Sequence, residues 1–529
     1  MTLLSDWRTY ARFAWELPRF LRHRVTLERS RAIVQQRLAE RENNFLRMVE
    51  RGIFGHPRSP YLPLLKLAQV ELGDIQNMVQ DKGLEATLRA LREAGVYVAF
   101  EEFKGRESIV RHGKVIQVKA REFDNPYLRP HYYAMTGGTT GTGTRVRIEL
   151  ERVAEQVPHV MLNEEAHGLS TLPQAIWFGT LPDHIGTSYV LKRAHFGRMP
   201  QRWFSPIRVQ GWRSWKYRLA TQYILAAAER SGVPIPRPEP LPLDRAAVIA
   251  RWAADAVAGH GGCVVAGFVS SLVRVSVAAQ EAGLDLTGTT FLGSGEPPTP
   301  AKVEQMRGVG ARWVPSYWFT EIGPVGQGCA NPVDENDLHL LKDVLALIQA
   351  PRLVPGTERT VDAFYFTALL PSASKIMLNV ESDDYGVIET RSCGCLWEKY
   401  GFTEHVRQVR SFRKLTGEGV TLVGSEMVRI LEEVLPARFG GSPLDYQLLE
   451  EEDEDGFTRL SLLVSPKVEI ADEAEVIQAV LDALGHGVEA NIARAFWSQA
   501  RTLRVKRVEP AWTARGKLMP LHLGKRKPQ

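Results

Sequence analysis

Residues 263 to 317 alternate between short apolar runs and segments with helical periodicity, and this pattern limits the possible folds more than any other. A strand–helix–strand–helix–strand order is typical of a parallel sheet covered by helices. Ligands of such sheets bind at the carboxyl ends of the strands. The Gly-Ser-Gly-Glu turn at 293–296 and the turn at 317–321 are therefore predicted to form a binding site. The predicted segments are a strand at 263–268, a helix at 271–280, a strand that starts at 289 and ends in the Gly/Ser turn, a helix at 300–307 and a strand at 312–317.

Length, charge and cysteine content place the chain among ordinary globular proteins. Its 529 residues suggest two or three domains. The 66 basic and 61 acidic residues are too balanced to indicate a nucleic-acid partner. No apolar run approaches the roughly 18 residues of a membrane span, and the N-terminus lacks the features of a signal peptide. Four cysteines are too few for a disulfide scaffold. We therefore expect a cytoplasmic protein, and its oligomeric state stays open.

Three other segments each have two interpretations. The first 50 or so residues predict mostly helix, with a break or kink at Pro18. Their apolar stripe and arginines suit a membrane-surface helix or a helix packed on its own domain, and the second is favoured, so membrane association is not expected. Aromatic and basic residues at 202–217 could stack on bases, but a helix-packing face or a pocket wall is favoured. The proline-rich residues 237–242 predict an exposed linker.

A glycine- and threonine-rich stretch precedes these segments. Residues 136–144 contain four glycines and five threonines, and extended segments flank them on both sides. The pattern predicts a β-hairpin with a large tip. Backbone N–H groups and threonine hydroxyls at such a tip can donate to phosphate oxygens, although a mobile surface hairpin would have the same composition. The stretch is not a Walker A motif, because no Gly-Lys-Ser/Thr opens a helix there.

The order of these motifs resembles the adenylate-forming superfamily of acyl- and aryl-CoA ligases. A Gly/Thr hairpin, then Gly-Ser-Gly-Glu-Pro at 293–297, then Tyr-Trp-Phe-Thr-Glu-Ile-Gly at 317–323, follow the family's order. The phenylacetate–CoA ligase branch is the most similar, on residues 293–297 and 321–324. The resemblance covers about residues 95 to 529. Downstream, Asp384 in Glu-Ser-Asp-Asp-Tyr-Gly, Arg410 before a hinge, and Lys517 near the C-terminus match further family positions.

The resemblance implies a role for each of these residues. Glu321 would hold Mg²⁺, Thr320 would donate to the α-phosphate and Lys517 would be the adenylation lysine. Tyr317 would stack on adenine, Asp384 would bind the ribose, and Arg410 would precede the hinge. The adenine edge would be lined by Gly293, Ser294, Gly295 and Glu296. The β- and γ-phosphates would be held by Thr136, Gly137, Gly138, Thr139, Thr140 and Gly141.

Several positions depart from the family pattern or have a simpler explanation. Trp318 stands at the usual glycine, Phe412 at the usual polar hinge position, and Thr142 at the usual loop lysine. Glu321 could also be a helix N-terminal acid. Asp383 could take the ribose in place of Asp384. Lys517 lies in a basic tail and could be surface charge. These alternatives leave the hinge residue and the ribose ligand open.

Four residues form a candidate metal centre. Cys329, His339, Cys393 and Cys395 supply three thiols and an imidazole, which can close a tetrahedral zinc site. Some phenylacetate–CoA-ligase-like proteins carry similar positions. Cys-x-Cys is tighter than the common zinc spacing, so reduced structural thiols are the alternative. Cys263 lies mid-strand and is expected in the core.

The sequence therefore predicts an α/β protein with a large N-terminal domain, a mostly parallel sheet and a small mobile α+β C-terminal domain. Its expected divisions are a helical part at 1–95, an adenylate-forming core at 96–409 and a lid at 410–529. The expected partners are a carboxylic acid, ATP, CoA or a carrier protein, and Mg²⁺, with no nucleic acid. Two alternatives remain: acyl transfer to a carrier protein or an amine, and a non-catalytic nucleotide-binding regulator. The identity of the acid cannot be read from the sequence.

Overall fold

A computed structural model describes most of the chain. It covers residues 3–129, 131–135, 145–181, 183–206, 215–296, 298–353, 360–411, 414–417, 420–423, 429–441, 445–452, 458–483, 503–511 and 521–523. The α-helices in these ranges are α1 Leu3–Arg22, α2 Leu27–Ala39, α3 Arg41–Met48, α4 Tyr61–Leu67, α5 Leu72–Lys82, α6 Leu84–Glu93, α7 Phe100–Phe103, α8 Leu150–Glu155, α9 Val157–Ala166, α10 His184–Phe196, α11 Trp215–Arg230, α12 Ala247–His260, α13 Val269–Glu281, α14 Pro300–Arg307, α15 Leu396–Lys399, α16 Leu435–Phe439 and α17 Glu473–Ala483.

The strands form one large sheet and several small ones. They are β1 Ile109–Arg111, β2 Lys114–Ile116, β3 Tyr132–Met135, β4 Arg145–Ile148, β5 Gln174–Trp177, β6 Arg202–Ser205, β7 Pro238–Pro240, β8 Cys263–Phe268, β9 Thr289–Ser294, β10 Arg312–Phe319, β11 Gly323–Gly328, β12 Leu338–Leu340, β13 Leu345–Leu353, β14 Thr360–Ala368, β15 Val380–Thr390, β16 Glu404–Ser411, β17 Lys414–Gly417, β18 Val420–Val423, β19 Tyr446–Glu452, β20 Thr458–Val464, β21 Leu503–Arg507 and β22 Leu521–Leu523.

The large sheet has twelve described strands and is mixed, with five parallel and six antiparallel pairings, so it is not the mostly parallel sheet that was expected. Its order is β13-β14-β15-β16-β12-β11-β10-β9-β8-β5-β6-β7. The half from β10 to β7 is parallel, which confirms the predicted strand–helix alternation. The half from β10 to β13 is antiparallel. β8 is buried along its whole length, as expected for a strand covered by helices on both faces.

Two apolar clusters support the two halves of the sheet. One contains buried side chains of the parallel strands and of α10 to α13. The other joins α2 to α6 with the antiparallel strands β12 to β16. The carboxyl ends of the parallel strands open between these clusters, so the predicted binding turns lie at the centre of the large sheet.

Two local details differ from the expectation, and each has a physical reason. α1 continues through Pro18, so the expected break is absent, and a kink there stays a prediction. Proline removes the hydrogen bond to the carbonyl four residues earlier, and here the Tyr223 hydroxyl donates to that carbonyl, on Ala14. Residues 237–242 are not simply an exposed linker, because 238–240 form β7 at the edge of the sheet. Proline is tolerated at a sheet edge, where one side of the strand makes no ladder bonds.

The predicted hairpin is present around the Gly/Thr stretch. β3 and β4 pair antiparallel, with Tyr132 opposite Ile148 and Met135 opposite Arg145. The tip at 136–144, with its six proposed phosphate-binding residues, lies outside the described residues. Trp203 and Phe204 of the aromatic and basic run are buried in β6, in line with the packing interpretation of that part.

The C-terminal part is a small α+β unit, as predicted. Its described sheet has the order β21-β20-β19-β22, and α17 supplies buried apolar side chains. Lys517 lies outside the described residues. The α/β class with a large sheet and a smaller C-terminal unit is confirmed, whereas the division at 409/410 remains a prediction; β16 of the large sheet runs to Ser411. No described helix has the length and apolarity needed to cross a membrane.

Candidate active site

The two predicted turns meet at one edge of the parallel sheet. Gly293 of β9 pairs with Pro315 of β10, and Ser294 pairs with Phe268 of β8. Two cavities open beside these strand ends. We call the one lined by Asp384, Tyr317 and Arg410 the Asp384 cavity; it holds about 180 Å³. The other, lined by Lys192, Arg152 and Thr320, holds about 210 Å³ and is called the Lys192 cavity.

Asp384 is one of two acidic residues that line the first cavity, together with Glu296. The Tyr317 hydroxyl donates to its Oδ2 at 2.6 Å, and the Ser411 hydroxyl donates to its Oδ1. Burial and the neighbouring Asp384 raise the pKa of Tyr317 well above its ordinary value, so the phenol keeps the proton that it donates. Asp383 is fully buried at φ 63° and does not line the cavity. Of the two candidate ribose ligands, the structure thus brings Asp384 to the cavity.

The Gly-Ser-Gly-Glu turn has packing roles of its own. A Cβ atom on Gly293 would lie 2.2 Å from the Trp313 ring. Gly295 has φ +84°, and a Cβ there would lie 2.7 Å from the Phe268 ring. Both glycines line the Asp384 cavity, as predicted for the adenine edge, but they are also required by their neighbours.

The other two members of this turn lie differently. Ser294 lines the Lys192 cavity. Glu296 lines the Asp384 cavity, but its carboxylate accepts from the Ser270 hydroxyl and lies 3.6 Å from the Lys302 ammonium. The Glu296 side chain is therefore held by the protein itself, and an adenine contact from it stays a prediction.

Glu321 lies in the turn after β10 and pairs with a lysine that sequence reasoning missed. Lys104 Nζ is 2.6 Å from Glu321 Oε1. Burial alone would raise the pKa of this carboxyl, but the Lys104 ammonium outweighs burial and the pKa is lowered. An ionised carboxylate is a suitable ligand for Mg²⁺. Lys104 occupies one of its oxygens, so Mg²⁺ would bind through the other or displace the lysine.

A second residue that the sequence analysis did not identify contacts the backbone of Thr320. Arg152, on α8, donates from Nη2 to the Thr320 carbonyl at 2.6 Å. Burial lowers the pKa of Arg152 to about 10, which leaves the guanidinium charged at neutral pH. Thr320 lines the Lys192 cavity, and Trp318 lines both cavities. The Trp318 indole is thus a wall that both cavities share.

The four predicted metal ligands converge. The ligand atoms of Cys329, His339, Cys393 and Cys395 all lie within 4.8 Å of one another. His339 Nε2 is 3.1 Å from Cys395 Sγ and 3.6 Å from Cys393 Sγ. Its Nδ1 faces the Phe402 carbonyl at 2.8 Å, so Nδ1 carries the proton and Nε2 presents a lone pair to the thiols. This donor set fits a tetrahedral zinc ion.

The thiols of this cluster are electrostatically linked. A hydrogen bond shared with Cys395 is the largest cause of a raised pKa at Cys329, and the same bond lowers the pKa of Cys395. One thiolate is thereby favoured at the centre of the cluster. Cys263, by contrast, is buried in β8 away from the cluster, where burial raises its pKa to about 11. The expectation that Cys263 belongs to the core is confirmed.

Comparison with solved structures identifies the fold. The sequence matches no protein-family model and no curated protein. A 2-hydroxyisobutyryl-CoA ligase, solved in complex with 2-HIB-AMP and CoA in the thioesterification state, matches with a TM-score of 0.53 at 16% identity, over 95% of this chain and 91% of that chain. The two proteins share one fold.

Two further solved structures match less well. An o-succinylbenzoate-CoA synthetase from Bacillus subtilis has a TM-score of 0.38 and 13% identity, over 82% of this chain and 79% of that chain. An amide bond synthetase from Marinactinospora thermotolerans has a TM-score of 0.39 and 12% identity, over 87% and 92%. Identities this low concern the fold, so the chemistry of this chain must be argued from its own site.

Proposed function

We propose that this chain activates a carboxylic acid with ATP and then transfers the acyl group to CoA. In the first step a carboxylate oxygen attacks the α-phosphorus, a P–O bond forms, and pyrophosphate leaves with the electrons of the bond that breaks. In the second step the CoA sulfur attacks the acyl carbon, a C–S bond forms, AMP leaves, and the thiol proton passes to solvent. The observation that carries the proposal is that Asp384 and Tyr317 line one cavity and Thr320 lines the other, with Trp318 as a wall of both; Glu321 follows in the same turn and pairs with Lys104.

The Asp384 cavity would take the nucleoside. Each carboxylate oxygen has a second lone pair, so Asp384 can accept from ribose hydroxyls while Tyr317 and Ser411 hold it in place. Adenine would lie against Tyr317, beside Gly293 and Gly295. Glu321 would hold Mg²⁺, whose contribution when bound is to neutralise phosphate charge. Thr320 lies between the phosphates and the Lys192 cavity, which would hold the acid.

The remaining parts of the proposal rest on sequence motifs. The Gly/Thr tip at 136–141 would hold the departing pyrophosphate, and Lys517 would bridge carboxylate and phosphate. Residues 410–529 would be a mobile lid on the core at 96–409, with 1–95 as its helical N-terminal part, and Arg410 would precede the hinge. Phe178 and Phe268 line the Lys192 cavity and support an aryl-CoA product, in line with the phenylacetate–CoA ligase-like branch.

The test is ATP–pyrophosphate exchange with a panel of carboxylic acids, followed by thioester formation with and without CoA. We expect at least one acid to support exchange, and Lys517→Ala to slow it about 100-fold or more. Exchange unaffected in Lys517→Ala contradicts the role of that lysine. Exchange without CoA acylation favours a carrier protein or an amine as acceptor. ATP binding without exchange for any acid favours a nucleotide-binding regulator.

We also propose that Cys329, His339, Cys393 and Cys395 bind a structural zinc ion. The convergent ligand atoms and the lone pair of His339 Nε2 support it. The purified protein is expected to hold about one zinc per chain, and Cys395→Ser is expected to lose most of it and unfold at a lower temperature. Cys263→Ala, which removes a thiol outside the cluster, is the matched control and should keep the metal. A metal-free wild-type protein whose melting temperature resists chelators would contradict the site.

A further inference from the structure

Lys192 differs from the other enclosed lysines of the chain. Its ammonium lies 4.2 Å from the centre of the Trp318 ring and 3.4 Å from Gln156 Oε1. Within the described part of the chain, it has no carboxylate at ion-pair distance. The enclosed lysines that serve as a comparison all have one: Lys104 has Glu321, Lys302 has Glu296 and Lys375 has Asp124.

The acidic residue that lines the same cavity as Lys192 already has ion-pair partners. Glu164 lines the Lys192 cavity, and it forms ion pairs with Arg193 and with Arg198. Burial, and after it repulsion from Arg193 and Arg152, lowers the pKa of Lys192 to about 7. An isolated buried ammonium is costly unless something compensates it. A bound anion would supply that compensation.

Arg152 adds a further cationic group to the same cavity, beside Lys192 and the Arg193 that pairs with Glu164. It is 3% exposed, and its Nη1 has no hydrogen-bond partner among the described residues, while Nη2 holds the Thr320 carbonyl. Because Thr320 marks the end where the acid would meet ATP, the reacting carboxylate can use Arg152. A monocarboxylic acid would then leave Lys192 uncompensated.

The rest of the cavity wall is largely apolar. Phe178, Ile185, Phe268 and Leu292 line it. Such a surface suits a hydrocarbon or aryl body between two polar ends. Lys192, whose ammonium lies over the Trp318 ring, offers the positive charge that a second anionic group of the acid would need.

We infer that the acid is one that carries a second anionic group, bound by Lys192, so that the substrate class is dicarboxylic or comparably dianionic acids. This inference rests on the proposed function, since it assigns the acid to the Lys192 cavity. It names Lys192 as a specificity-determining residue.

The experiment compares matched acids that differ only in the second charge: adipate with hexanoate, and 4-carboxyphenylacetate with phenylacetate. For each pair the ratio of kcat/KM values in ATP–pyrophosphate exchange is measured in the full-length wild type. We expect a wild-type ratio above one for the pair that fits the cavity. In Lys192→Met that ratio is expected to fall about 10- to 100-fold, the effect of losing a charge-assisted hydrogen bond, and in Lys192→Arg it should fall less.

Lys82→Met, the same change at an exposed lysine of α5, is the control and should keep the wild-type ratio. The inference is overturned, even where exchange proceeds, if the wild type has the higher kcat/KM for the monoacid in both pairs. It is also overturned if Lys192→Met keeps the same kcat/KM ratio as the wild type. Calorimetric binding of adipate and hexanoate to the wild type separates the two hypotheses when no acid supports exchange. Tighter binding of adipate than of hexanoate would then support recognition of a second charge by the Lys192 cavity and would count only against the proposed reaction. Equal affinity for the two acids would overturn the inference.

Discussion

The Asp384 cavity and the Lys192 cavity share Trp318 as a wall but differ in how their charges are compensated. In the first, Asp384 accepts hydrogen bonds from Tyr317 and Ser411, so the carboxylate is held before any ligand arrives. In the second, Lys192 has no carboxylate at ion-pair distance, and the Nη1 of Arg152 has no hydrogen-bond partner, among the described residues. A preorganised site suits a constant ligand such as a nucleotide. An uncompensated one indicates that the missing charge comes with the substrate.

The largest effect that separates the two cavities is expected from Asp384→Ala. It should lower kcat/KM for ATP about 10- to 100-fold, because charge-assisted bonds to the ribose are lost. The more specific measurement is the ratio of kcat/KM for ATP over 2′-deoxy-ATP, which should fall toward one in the variant. Asp362→Ala, at an exposed position of β14, is the matched control.

The comparison also requires that Asp384→Ala leave the ratio between dianionic and monoanionic acids in place, since that carboxylate does not line the Lys192 cavity. A changed acid ratio would show that the two cavities act as one site. If Asp384→Ala discriminates against 2′-deoxy-ATP as strongly as the wild type does, Asp384 does not bind the ribose and a neighbouring residue must do so.

The sequence predicted some features of the fold and of the site but not others. The parallel strands, the order of the turns and the convergence of the Cys/His cluster were predicted, because short motifs with a local pattern encode them. The antiparallel half of the sheet and the edge strand β7 were not. Lys104 and Arg152 were also missed: they reach the 320–321 turn from 217 and 168 residues away, and no local pattern records such contacts.

Lys192 illustrates the limit most clearly. It lies four and eight residues after Ser188 and His184, so all three share one face of α10 and line the cavity. That spacing is common in helices packed on a core, and only the fold shows that this face borders a cavity. Sequence motifs therefore suggested the residues of the proposed nucleotide site, whereas the proposed acid site could be recognised only from contacts in the structure.

A smaller effect on both cavities is expected from Trp318→Phe. A phenyl ring attracts a cation less than an indole and fills less of the shared wall. We expect the preference for the dianionic acid to fall about 2- to 5-fold, with a change of similar size in KM for ATP. Trp215→Phe, at an exposed indole at the start of α11, is the control. A change confined to one of the two parameters would mean that the indole serves one cavity alone.

The smallest effect, and the one that needs no substrate, is on stability. Lys192→Met removes an ammonium that the folded protein compensates poorly, so we expect the melting temperature to rise by about 1–3 °C at pH 7.

The folded-state pKa of Lys192, about 7, lies below the ordinary 10.5, so between these pH values the unfolded chain binds a proton that the folded protein does not. Wild-type stability should therefore increase relative to the variant as the pH rises from 7 to 9, and the difference in melting temperature should shrink. The charged groups that shift the pKa of Lys192 are Arg193 and Arg152, and both guanidiniums stay largely protonated in this range; His184, which interacts with Lys192, has a pKa of about 4 and stays neutral. Lys82→Met should show neither shift. A lower melting temperature for Lys192→Met at every pH would mean that the lysine stabilises the empty protein, and the contrast between the two cavities would fail.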